Sequence, residues 1–135
     1  AALAALAPLS GHIIALAVDC TRLHQGLTGG MLRVLGESMG ASITYLDIWS
    51  PPSMTADAWG AILPAWPALT RLEFSELGTA DPAALAMFVA SCQRPLLLEF
   101  WDPSDDTRKA VLHTKELMRA QNVASQVRVE ITGEP

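Results

Sequence analysis

Four carboxylates carry most of the chemistry this 135-residue chain could perform: Asp47, Glu73, Glu99 and Glu130. Each has Tyr45, Arg71, Leu97 or Arg128 two residues before it, and Trp49, Ser75, Trp101 or Thr132 two residues after. Such a row could bind a hard cation such as Ca²⁺, which takes oxygen ligands. It could supply a general acid and base, which requires two carboxyls in unlike environments, one with its pKa raised by burial. It could also attract a basic or amphipathic partner segment, with exposed aromatic side chains as anchors. A regular row of exposed carboxylates gives no contrast of environment, so acid–base catalysis is the weaker use. No enzyme, metal or cofactor is expected.

Other residue types add little chemistry. His12, His24 and His113 have no second His or Cys at ligand spacing and read as surface or capping residues. Gly26, Gly29 and Gly30 precede a helix, but lack the Lys-Ser/Thr of a phosphate loop and the spacing of a dinucleotide fingerprint. Cys20 and Cys92 form no CxxC pair. Two buried free thiols are the expectation, and a disulfide stays open. Formal net charge is −5 with nine scattered Lys and Arg, so a basic face for nucleic acid is not expected. With 50% hydrophobic and 17% charged residues, the chain is expected to fold around a core. No apolar run approaches the roughly 20 residues of a spanning helix. The alanine-rich opening has no basic region typical of a secretion signal. Together with sparse cysteines, this favours an intracellular, cytoplasmic setting. The missing initiator Met fits a segment of a longer protein.

The carboxylates are positioned by a repeated phrase. Apolar, two free, apolar, one free, apolar recurs at Ile13, Leu16 and Val18; at Ile43, Leu46 and Ile48; and at Leu69, Leu72 and Phe74. It returns in weaker form at Pro95, Leu98 and Phe100, and at Gln126, Val129 and Ile131. The central residues are spaced 30, 26, 26 and 31 apart. Alternation with β-branched and large apolar residues predicts a strand at each. Helices are expected between them: Thr28 to Met39; Thr55 or Ala56 to Leu63, stopping by Pro64; one capped by Asp81 with Pro82 first; and Ser104 or Asp105 to about Gln121. Leu3 to Ala7 reads as the tail of another. Trp59 and Trp66 are expected in the core.

Trp66 to Phe74, followed by the apolar helix of Ala83 to Cys92, resembles the leucine-rich repeat family. The likeness is to its ribonuclease-inhibitor type and to the irregular repeats that follow F-boxes. The resemblance implies an α/β, leucine-rich-repeat-like solenoid of four to five repeats over residues 1–135, a parallel sheet with helices on one face only. The family places Asn or Cys after the strand; here Cys20, Ser50, Glu76 and Asp102 stand there, so an asparagine ladder is not implied. A doubly wound α/β domain is the competing fold, but its central strands are apolar on both faces. Asp47, Arg71, Glu73, Glu99, Arg128 and Glu130 do not suit that.

With strand neighbours in register, three columns face outward. The first is Ala15, Tyr45, Arg71, Leu97 and Arg128; the second Ala17, Asp47, Glu73, Glu99 and Glu130; the third Asp19, Trp49, Ser75, Trp101 and Thr132. Either Arg71 and Arg128 lean across and neutralise the carboxylates, or an acidic ridge flanked by aromatics awaits a protein partner. The function expected is a protein–protein interaction module. The alternatives are a structural accessory subunit of a larger assembly, and a small doubly wound signalling domain or enzyme. By resemblance alone, such a module could recruit substrates to a ubiquitin ligase, although no F-box is present in these residues.

Overall fold

A computed structural model describes residues 14–23, 26–121 and 126–133. The expectations for Leu3 to Ala7, His12, Ile13 and His24 lie outside them. The chain is α/β. Strands β1 (Ala15–Asp19), β2 (Tyr45–Trp49), β4 (Arg71–Ser75), β6 (Leu96–Trp101) and β7 (Val127–Thr132) form one parallel sheet in the order β1-β2-β4-β6-β7. This order follows the chain and never reverses, so the sheet has no switch point of the kind at which doubly wound folds bind ligands. A second parallel pair joins β3 (Ser53–Met54) to β5 (Thr79–Ala80), and Leu27 bridges to Met54 beside it. Four helices alternate with the strands among the described residues: α1 (Gly29–Met39), α2 (Ala56–Ala65), α3 (Pro82–Ser91) and α4 (Asp105–Ala120).

Each helix starts where its side chains can satisfy the free N–H groups of the first turn. Thr28, Thr55, Asp81 and Ser104 accept from the amides of Met31, Ala58, Ala83 and Thr107 at 3.3, 3.0, 2.9 and 3.2 Å. A cap of this kind contributes about 1 kcal/mol. Helix α2 runs to Ala65 rather than stopping before Pro64. Pro64 falls in the last turn, and the Gly60 position four residues back is exposed, so the carbonyl deprived of its donor lies on the solvent side. Carbonyls at and just after the end of α2 gain a partner from the segment following α3: Arg94 donates to Trp66 O at 2.7 Å, Pro67 O at 2.8 Å and Leu63 O at 3.4 Å.

Even-numbered strand positions supply the core. Leu46, Ile48, Leu72, Phe74, Leu98 and Phe100 are completely buried and cluster with Leu32, Leu35, Trp59, Ile62, Leu85, Phe88 and Val111 of the helices. Phe74 lies 5.3 Å from Trp59 and 5.6 Å from Phe100, and Trp59 lies 5.3 Å from Phe88. Trp66 is also buried and donates to Leu32 O at 3.2 Å. Both cysteines are buried and free.

After each of β2, β4 and β6 the chain turns through a left-handed residue: Ser50 at φ 52°, Glu76 at 57° and Asp102 at 46°; Gly133 follows β7 at 105°. The amides of Cys20, Ser50, Glu76 and Asp102 each donate to the next strand, to Trp49 O, Ser75 O, Trp101 O and Thr132 O, at 2.6–2.8 Å. The ladder therefore continues one step beyond the strands. This bonding offsets the cost of holding non-glycine residues in that region.

Helices α1 and α2 touch closely because Gly36 has no side chain. A Cβ there would stand 2.5 Å from Ala65 O and 2.7 Å from Ala65 Cβ. Gly36→Ala should therefore force the helices apart and lower stability by about 1–3 kcal/mol, despite alanine's better helix propensity. Gly60 in α2 has nothing within 4 Å of the same position. Gly60→Ala should raise stability by about 1 kcal/mol. Urea unfolding of the two variants checks both signs.

Candidate interaction surface

The odd-numbered strand positions form the opposite face. Tyr45 pairs with Arg71, Arg71 with Leu97 and Leu97 with Arg128; Asp47 pairs with Glu73, Glu73 with Glu99 and Glu99 with Glu130. Trp49, Ser75, Trp101 and Thr132 align likewise. Register thus brings together all ten candidate residues, in the three columns that the repeated phrase implies.

The carboxylates are not a row of exposed charges, and here the expectation is corrected. Glu73 is 7% and Glu99 8% exposed. Groups on neighbouring strands cover them. Arg71 donates through Nε to Glu99 at 2.8 Å, with a second nitrogen 3.8 Å from Glu73. Its guanidinium lies 4.5 Å above the Tyr45 ring, and the Tyr45 hydroxyl donates to Glu73. Burial, reinforced by this donation to a carboxylate, pushes the Tyr45 phenol up to about 12. Arg128 pairs with Glu130 of its own strand at 2.6 Å, and this pair is open to solvent. Neutralisation by the two arginines is therefore present on this face.

Asp47 differs from the others. The Trp49 indole donates to Asp47 Oδ2 at 2.6 Å, while Asp47 Oδ1 is buried with no hydrogen-bond partner. Burial raises its pKa above the usual aspartate value, against the lowering effect of the indole bond. A folded-state pKa above the unfolded one gives stability that is present in acid and lost as pH rises through the raised value. Asp47→Asn keeps an acceptor for Trp49 and never ionises. It should be more stable than the parent at pH 7 by under about 1 kcal/mol, a gap that closes near pH 3. Thermal unfolding at the two pH values tests this.

Two large side chains on the face remain open: Trp49 is 50% and Trp101 43% exposed. Trp59 and Trp66, by contrast, are 2% and 0% exposed. Helices α2 and α3 leave a groove of about 480 Å³, lined by Trp59, Leu63, Phe88 and the exposed Met87. The sequence reading did not single out this groove; its signal is the small residues Gly60, Ala83 and Ala84 between the aromatics. His113 is exposed on α4. Among the described residues, no group of three or more His, Cys, Asp or Glu could hold a metal ion, and no helix is long and apolar enough to cross a membrane. Compared with protein-family models, curated proteins and solved structures, the chain matches none of them.

Proposed function

We propose that this chain is a leucine-rich-repeat-like solenoid, with its helices on one side of the sheet, that presents the opposite strand face to a partner protein. The observation that carries this reading is the in-register face itself, where Trp49 and Trp101 stand half open beside a column of four carboxylates. Half-exposed tryptophans set among polar neighbours are characteristic anchors of protein interfaces. Arg71 and Arg128 offset only part of the charge of the four carboxylates, and the negative charge left over favours a basic or amphipathic segment. On this reading the chain binds and performs no catalysis.

A second reading, an accessory subunit held in a larger assembly through its helices, draws support from the α2–α3 groove and exposed Met87. One comparison separates the two. The parent chain captures partners by crosslinking from its native source, beside a Trp49→Ala, Trp101→Ala double variant and a Met87→Glu variant. The strand-face reading expects capture of the same protein to fall at least about tenfold with the double variant, as removal of hot-spot anchors does, and to survive Met87→Glu. The reverse pattern supports the helical side. Charge reversal at Glu73 or Glu99 is a poor test, because both are buried in the Arg71 network and the fold itself would suffer.

A further inference from the structure

The sheet is open at both sides. Among the described residues β1 pairs with β2 alone and β7 with β6 alone, so each carries one edge of N–H and C=O groups with no neighbouring strand. The core is open at the same places. Inward residues of β2, β4 and β6 are buried, whereas Leu16 and Val18 of β1 and Val129 and Ile131 of β7 are only partly so. Proteins commonly guard such edges with proline, a bulge or a charge turned inward. Neither strand has one, for both ladders run unbroken and every inward position is apolar. The turn after β7 is also set for a further strand. Ser50, Glu76 and Asp102 have positive φ, and their amides donate to Ser75 O, Trp101 O and Thr132 O of the strand that follows. Gly133 has positive φ at the same place after β7, where the described residues offer no such strand.

We propose that copies of this chain join head to tail, β7 of one lying parallel to β1 of the next, so that one sheet and one core run through both. All four pairings within the chain keep a single register, so the open edge of β1 presents what every later strand presents to the one before it. In that register Ala15 falls beside Arg128, Ala17 beside Glu130 and Asp19 beside Thr132. Pairs inside the chain set carboxylate beside carboxylate from Asp47 to Glu130, but here Glu130 meets alanine and adds no repulsion. Leu16 lies beside Val129 and Val18 beside Ile131, which closes both openings of the core. The Gly133 amide meets Asp19 O, the counterpart of Trp101 O and Thr132 O. Unlike edges meet, so each copy added leaves one β7 and one β1 free, and association continues past the dimer. Head-to-tail joining uses the sheet edges and is independent of what the strand face binds.

Sedimentation velocity on the whole chain, across about a hundredfold range of concentration, tests this. The expected result is a mass that rises with concentration through the dimer to larger species. Two variants read the geometry. The bonds from Cys20 to Trp49 O and from Asp102 to Thr132 O fix which residues of each strand face inward along the ladder, and they turn the amides of Ala17 and Val129 to the open edges. Ala17→Pro and Val129→Pro therefore each remove an edge donor and no bond between strands of the chain. Each alone should stay monomeric where the parent associates. An equal mixture should form a dimer and stop there, because Val129→Pro supplies an intact β1 and Ala17→Pro an intact β7. Near-ultraviolet circular dichroism of the buried Trp59 and Trp66 shows that each variant is folded. Where a proline variant loses that signal, Val18→Lys or Ile131→Lys takes its place and turns a charge inward at the same edge. A parent chain monomeric throughout, dimers of Ala17→Pro alone, or an equal mixture of folded variants that stays monomeric would each overturn the proposal.

Discussion

Replacing Arg71 by methionine should lower stability by about 2–3 kcal/mol, measured as a fall in the urea midpoint. Methionine keeps an unbranched apolar stem over the sheet, so what disappears is the charge. Glu73 and Glu99, both more than nine-tenths buried, would lose their guanidinium, and the Tyr45 ring would lose the cation 4.5 Å above it. Breaking a fully buried pair by removing one partner costs about 3–5 kcal/mol. The lower figure is expected because the Arg71 side chain is 43% exposed and water reaches part of the network. Adding Glu99→Gln to Arg71→Met should restore part of the loss, since one of the two stranded charges is then gone; additive effects would show that the two residues are not coupled.

Phe74→Ala should cost more, about 3–5 kcal/mol. Phe74 is fully buried on the central strand and contacts the rings of Trp59 and Phe100. It thereby links α2, β4 and β6. Removing the ring opens a cavity between elements that cannot collapse together, because the hydrogen-bond ladder fixes the strand spacing. Because the aromatic chain Phe88–Trp59–Phe74–Phe100 joins α2, α3, β4 and β6, the loss should lower the single unfolding midpoint of the whole chain. A separate early transition confined to one of these elements would contradict that coupling. Near-ultraviolet circular dichroism follows the buried tryptophans directly through the transition.

How much of this was legible in the sequence depended on how local each cause is. The strands could be read because Leu46 and Ile48, Leu72 and Phe74, and Leu98 and Phe100 alternate with polar residues, and period two has one structural meaning. The same phrase at each strand gave the register. Helix starts were visible in Thr28, Thr55, Asp81 and Ser104, whose side chains act on amides two or three residues away. Burial of Glu73 and Glu99 was hidden, because what covers them comes from residues on the neighbouring strand, 28 positions distant in sequence. The left-handed conformation of Ser50 and Glu76 was equally hidden, since neither residue type requires it and the cause is a bond to the next strand. Strands β3 and β5 have two residues each, too few for any periodicity. The contact of Gly36 with Ala65 depends on how two helices pack, which no spacing within α1 records.

The register also dictates which changes of chain length the molecule could absorb. One residue inserted within β4 would turn Leu72 and Phe74 out among the charges and drive Glu73 into the apolar interior. Deleting a complete strand–helix block, such as the 26 residues from Glu76 to Trp101, joins Ser75 to Asp102 and returns every surviving strand to its own side. Length changes in whole blocks therefore keep the register, while a single-residue insertion or deletion keeps it only in the connections outside the sheet.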